Sequence, residues 1–152
     1  MKIAIAADHA GLPLKPEIID FVKSLGHEPV DLGAHEYDAD DDYPDFAALV
    51  AEAVRSGQAD RGILGCGSGI GASVAANKFP GIRAAVCHDT YSAAQGVEHD
   101  DMNILCFGAR IIGPETAKSL VQAFLGAEFG THPRFQRRLD KVLAIEAEHT
   151  SV

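Results

Sequence analysis

Residues 62–81 read GILGCGSGIGASVAANKFPG. A short apolar run over 61–65 ends in a turn with glycine at 65, 67, 69 and 71, and an alanine-rich stretch begins at residue 70. That pattern is a strand delivering its end into a glycine loop that opens a helix. Glycine there permits positive φ and removes side chains that would hold a ligand away from the backbone. N–H groups at a helix start make a nest for an anion or a developing oxyanion. Cys66 stands at the mouth of the loop. The same features also fit a tight strand-to-helix turn with a buried cysteine, because Cys is often buried.

Outward from this stretch, short apolar runs alternate with longer amphipathic ones. Residues 2–7 (KIAIAA) read as a buried strand, 13–25 as a helix ended by Gly26, and 28–32 as a second strand. Residues 33–42, with the acidic run 38–42, form a loop; Pro44 lies in the first turn of a helix that stops before Gly57. The third strand is 61–65 and its helix 70–78. The fourth strand is 82–87, followed by a short helix over 90–96. Residues 103–108 are the fifth strand, and helices at about 114–126 and 133–148 complete the chain. Such alternation predicts an α/β fold: a five-stranded parallel sheet with helices on both faces, joined by right-handed crossovers, in one domain over 1–152. This is a Rossmann-like three-layer αβα sandwich. Ligands of such sheets bind beyond the carboxyl ends of the strands. Asp8-His9, Cys66–Gly71, Cys87-His88-Asp89 and Gly108-Ala109-Arg110 each follow a strand, so all fall on one rim.

Composition narrows the function. The chain has 152 residues, 47% hydrophobic and 23% charged, which suits a folded globular protein. A net charge of −9 with no basic run argues against nucleic acid or an anionic membrane as partner. The first apolar stretch is broken by Asp8 and His9 too soon for a signal peptide, and no segment reaches the roughly 18 apolar residues of a membrane span. Cys66, Cys87 and Cys106 are odd in number with no CxxC spacing, so neither a disulfide framework nor structural zinc is expected, and a reducing cytoplasm fits.

The glycine loop matches none of three common phosphate motifs. No Lys-Ser/Thr follows Gly71, as a Walker loop requires. It follows the third strand and not the first, against a dinucleotide fingerprint. The sixth residue after Cys66 is Ala72, where a Cys-type phosphatase carries Arg. Asp8 could cap the following helix or face a ligand, and His9 beside it could bind hydroxyls or phosphate. His99, in EHDDMN (98–103), precedes the fifth strand and so lies at the end opposite the rim. Within one chain it reads as a surface residue; a second subunit could carry it to a site. Tyr43 is either an aromatic platform or loop packing. Arg134 and Arg138, four apart, share a helix face with His132 nearby; they could grip a phosphate, or form a solvated face paired with Asp140 or Glu146.

Together, DHAG (8–11), DYP (42–44), GCGSGIGASVAANKFPGIRAA (65–85), HD-TYSA (88–93), His99–Asn103, FGAR (107–110) and the paired arginines resemble the type B ribose-5-phosphate isomerases and the related galactose-6-phosphate isomerase subunits. The resemblance covers nearly the whole chain and is most specific between Gly65 and Arg83. It implies an aldose–ketose isomerase that needs no metal and no cofactor. The assembly would be a homodimer or tetramer with shared sites, the helix at about 133–148 crossing to the partner. Cys66 would move the proton between C2 and C1, and Ser68 would assist transfer between the two oxygens. The N–H groups from Gly67 through Gly69, Ile70 and Gly71 would hold the enediolate. His99 would help open the furanose ring, and His9, Arg134 and Arg138 would hold phosphate. Asp8 would hold hydroxyls; Tyr43, Asp100 and Arg110 complete the candidate substrate site.

A thiol among helix N-terminal N–H groups is expected to ionise below its usual range. Relatives lacking this Cys carry Glu where this chain has Ala72, which leaves Cys66 alone as base. The chain also has His99-Asp100-Asp101 where the family has His-Asn-Asp. An ionised Asp cannot donate the amide hydrogen bond, so the preferred sugar phosphate (ribose 5-phosphate, allose 6-phosphate, galactose 6-phosphate or a tetrose phosphate) turns on this position. Outside the isomerases, a non-catalytic sugar-phosphate-binding domain would not need the thiol, and a Cys hydrolase lacks a triad.

Overall fold

A computed structural model describes residues 1–150. The elements run β1 (Lys2–Ala7), a 3-10 turn (Leu12–Leu14), α1 (Lys15–Ser24), β2 (Glu28–Asp31), α2 (Tyr43–Arg55) and β3 (Arg61–Cys66). Then follow α3 (Ile70–Ala76), β4 (Ala84–Val86), α4 (Thr90–Asp100), β5 (Ile104–Gly108), α5 (Pro114–Gly126) and α6 (Pro133–His149). The five strands are parallel in the order β2-β1-β3-β5-β4. The chain goes outward from β1 to β2 and then returns to β3 on the other side of β1. The strand order therefore switches between β1 and β3, where a crevice opens at the carboxyl ends.

The pleat sorts side chains to two different cores. Ile3 and Ile5 of β1, Ile63 of β3 and Leu105 and Phe107 of β5 face α1, α4 and α5, where they meet Ile18, Val22, Leu120 and Phe124. Ala4, Ala6, Leu64 and Cys106 face α2 and α3, which answer with Ala47, Ala51, Ala72 and Ala76. Small residues on both sides let α2 and α3 sit close to the sheet, and this brings α3 with its glycine loop tight against β3. By contrast α6 buries only Phe135 and Leu139, and it leaves Val142, Leu143 and Ile145 exposed.

Several boundaries differ from the sequence reading by a residue or more, three of them as follows. The first helix does not begin at residue 13: Leu12–Leu14 is a 3-10 turn, and Lys15 starts the α-helix proper, with Pro16 in its first turn, where a missing N–H costs nothing. The fourth strand is trimmed to Ala84–Val86. The helix expected over 90–96 runs on to Asp100, stopped by Asp101 in the left-handed region (φ 52). Gly96 does not end it, and the missing Cβ there leaves room for the Met102 side chain.

Candidate active site

The crevice is a cleft of about 410 Å³ lined by Asp8, His9, Tyr43, Cys66, Gly67, Ser68, Gly71 and Arg110, together with Ala10 and Ile111. Three strand ends meet there. The β5 end is tied to the glycine loop by Ala109 N–H to the Cys66 carbonyl (2.8 Å) and Arg110 N–H to the Gly67 carbonyl (3.1 Å). These bonds hold the Arg110 backbone beside the loop, and its guanidinium makes no ion pair among the described residues. His88 does not reach the cleft lining; its Nε2 accepts the Gly108 N–H at 2.9 Å and so braces the same loop.

Two glycines are required for different reasons. Gly69 precedes α3 at φ 82, in the left-handed region, and a Cβ there would press on the Phe107 backbone at 3.0 Å. Gly71 has no such strain; its hydrogen makes room for Tyr43, whose ring carbon would stand 2.6 Å from an added Cβ. Tyr43 thus packs on the loop, as one of its two sequence readings expected, and also lines the cleft.

Cys66 is 8% exposed and Asp8 5%. The Cys66 thiol donates to Asp8 Oδ2 at 3.0 Å, while Asp8 Oδ1 accepts the N–H groups of Ala10 (3.0 Å) and Gly11 (2.9 Å). Asp8 therefore caps its turn and also faces the thiol. The expectation of a depressed thiol pKa is corrected here. Burial pushes Cys66 above its ordinary value, and the Asp8 carboxylate pushes it further by accepting the S–H and by its charge. The N–H groups of Gly69 and Gly67 pull the other way without prevailing. The loop donors are there, as the glycines foretold, but a buried carboxylate touching the sulfur outweighs them.

His9 is the second titratable group of the cleft. Its Nδ1 lies 2.6 Å from Asp41 Oδ1, which also accepts the His9 backbone N–H at 3.1 Å. The sequence reading missed Asp41, buried in an acidic run that looked like solvated loop. Only the fold brings residue 41 over residue 9.

The remaining candidates lie outside the cleft. His99, near the end of α4, stacks on Phe135 with ring centroids 4.1 Å apart and is held by Gln95 at 2.8 Å. Arg134 also sits over the Phe135 ring, its guanidinium carbon 5.1 Å from the centroid. Arg134 and Arg138 are exposed, and neither alternative partner takes them: Asp140 accepts from Gln136, and the Glu146 carboxylate from the Gly81 N–H. His132 caps α6 by accepting the Arg134 N–H at 3.2 Å. Asp100 is exposed at the α4 terminus beside Arg83 and Met102. Within one chain none of His99, Asp100, Arg134 or Arg138 lines the Cys66 cleft.

A parallel α/β sheet with a buried thiol, a carboxylate bonded to it and a glycine loop at the switch point is where the active site of an α/β enzyme is expected. Residues 3–142 match the family model described as Ribose/Galactose Isomerase. Ribose-5-phosphate isomerase B of Escherichia coli is 47% identical over 95% of this chain and 96% of its own. D-erythrulose-4-phosphate isomerase of Pectobacterium atrosepticum is 42% identical over 90% and 92%. The solved structure of ribose-5-phosphate isomerase B from Clostridium thermocellum superposes with a TM-score of 0.94 at 49% identity, covering 99% of this chain and 100% of that one. The chain belongs to the Ribose/Galactose Isomerase family and is a sugar-phosphate isomerase.

Proposed function

We propose that the chain interconverts ribose 5-phosphate and ribulose 5-phosphate through an enediolate formed over the Cys66 loop. The observation that carries this reading is the thiol of Cys66, set between the Asp8 carboxylate at 3.0 Å and the N–H groups of Gly67 and Gly69. A proton α to a carbonyl is weakly acidic, so a base must act where the oxyanion is stabilised as it forms. Asp8 receives the thiol proton, and the thiolate takes the C2 proton as the C1 carbonyl electrons move to oxygen. The loop N–H groups hold that oxygen, and Ser68 passes the O2 proton to O1. Cys66 returns its proton to C1 and recovers the one on Asp8. Every proton that leaves comes back. In this reading Asp8 serves the thiol, in addition to its expected role as a hydroxyl ligand.

The phosphate end needs cations, and one chain supplies Arg110 and His9 at the cleft. A second copy supplies Arg134 and Arg138, with His99 for ring opening and Asp100 beside it. Support for this comes from α6: a 17-residue helix that buries two residues on its own chain and exposes Val142, Leu143 and Ile145 is built to pack elsewhere. Dimer or tetramer, the shared site is the same. The three cysteines are unpaired, in keeping with a cytoplasmic protein, and no helix among the described residues is long and apolar enough to cross a membrane.

A second reading keeps the chemistry and changes the sugar. The D-erythrulose-4-phosphate isomerase at 42% identity and the exposed Asp100 favour its inclusion. Proton NMR of the purified protein with ribose 5-phosphate, allose 6-phosphate, galactose 6-phosphate and erythrose 4-phosphate decides, with Cys66→Ala as control. Fastest conversion of ribose 5-phosphate is the expected result. Preference for another sugar transfers the mechanism to it, and no turnover of any refutes the assignment.

A further inference from the structure

We propose that Asp41 is a positioning residue that turns His9 into an anion-binding group, a role that rests on the sugar-phosphate reading of the cleft. Asp41 is the one described carboxylate in contact with His9, at 2.6 Å from Nδ1, and its side chain is only 10% exposed. Its Oδ1 takes both the ring and the backbone N–H of His9, which locks ring and chain in one orientation. Its Oδ2 is buried with no hydrogen-bond partner among the described residues. A carboxylate buried with one oxygen unsatisfied is expensive, and among the described residues the His9 ring is the only side chain that hydrogen-bonds to it. Its charge is therefore spent on that ring.

The consequence for the cleft is chemical. With Nδ1–H committed to Asp41, Nε2 is the nitrogen left for a ligand, and His9 makes no other hydrogen bond through its ring among the described residues. In the neutral ring Nε2 accepts; in the imidazolium it donates. A phosphate group placed against Nε2 favours the imidazolium, because the ring then bridges two anions, Asp41 behind and phosphate in front. The other groups facing His9 are Asp8, Cys66, Tyr43 and Arg110 around the cleft, and Tyr37, whose ring meets the imidazole edge-on at 6.0 Å. Of these Arg110 alone is a fixed cation, so phosphate is shared between Arg110 and the Nε2 that Asp41 leaves free on His9.

Two readouts test this. In ring 15N NMR of the free protein above pH 8, wild-type His9 should be the Nδ1–H tautomer and Asp41→Ala the Nε2–H tautomer; inorganic phosphate should convert the wild-type ring to imidazolium at a lower concentration than in the variant. In steady state, Asp41→Ala should raise KM for ribose 5-phosphate roughly 10-fold, the size of one lost charge-assisted hydrogen bond, with kcat within about twofold. Asp41→Asn, which keeps an acceptor without the charge, should fall between. The double variant His9→Ala/Asp41→Ala should be no worse than His9→Ala, because Asp41 acts through His9. Additive KM losses, or an unchanged tautomer, overturn the proposal. A wild-type protein that turns over no sugar phosphate yet shows the NMR pattern refutes the isomerase reading while leaving the dyad in place.

Discussion

Replacing Asp8 by Asn should move two rates of the same sulfur in opposite directions. The exchange keeps volume, and the amide oxygen can still accept the Ala10 and Gly11 N–H groups now bonded to Asp8 Oδ1 at 3.0 and 2.9 Å. What changes is the atom 3.0 Å from Sγ, from a carboxylate oxygen that accepts the S–H to an amide N–H that donates to sulfur. Both Asp8 contributions that raise the thiol pKa vanish, burial remains, and the N–H groups of Gly67 and Gly69 gain an ally. Thiolate at neutral pH therefore increases, and alkylation of Cys66 by iodoacetamide, followed by mass spectrometry, should be faster than in wild type at pH 7.5. The pH at which wild-type alkylation accelerates, above the ordinary thiol value of 9.0, should fall. Isomerisation should slow, because the thiol proton has lost its acceptor. A buried hydrogen bond to a charged group is worth about 1.5–3 kcal/mol, and at about 1.4 kcal/mol per decade this is roughly a 10- to 150-fold drop in turnover. If alkylation and turnover rise together, Asp8 merely restrains the thiol and takes no proton from it.

Other predictions concern the fold, the assembly and the metal. Burial and, less, the Asp89 charge hold the Cys87 thiol up to about 11, against an ordinary 9.0. The unfolded chain then loses its proton first as pH rises, so this contribution is whole below pH 9 and shrinks up to pH 11, by about 2–3 kcal/mol. Urea melts of wild type against Cys87→Ala should show the gap between them closing over that range; a constant gap refutes the cause. Val142→Glu with Ile145→Glu should give a folded monomer in sedimentation and cost roughly 100-fold in turnover, the scale of a displaced site group; a fully active monomer removes the second subunit from the chemistry. Gly71→Ala should displace Tyr43, which would meet the new Cβ at 2.6 Å, at a stability cost of about 1–3 kcal/mol read by thermal melting; an unchanged Tm would show that the ring has room to move. Turnover should survive EDTA, and loss restored by a divalent metal would overturn the metal-free mechanism.

Much of the molecule is written in local pattern. The run KIAIAA, the switch from apolar to alanine-rich periodicity around 62–81, and Gly26 and Gly57 after the first two helices specify strand, helix and turn through interactions of a few residues. From these follow the parallel sheet and the rim on which Asp8, Cys66, Ser68 and Arg110 meet. Helix ends were less legible: α4 passes through Gly96, whose missing Cβ leaves room for Met102, and stops instead at Asp101 in the left-handed region. The chemistry of the site was legible in residue type but not in sign. A local rule places a thiol beside helix N–H groups and lowers its pKa; the fold adds burial and a carboxylate 58 positions away in sequence, and together they reverse it. Asp41 is the same lesson from the other side, since a residue in an acidic loop became the partner of His9 only when β1 and the loop before α2 were brought together. Periodicity is a property of neighbours along the chain. Desolvation and charge pairing are properties of neighbours in space, and these only the tertiary structure decided.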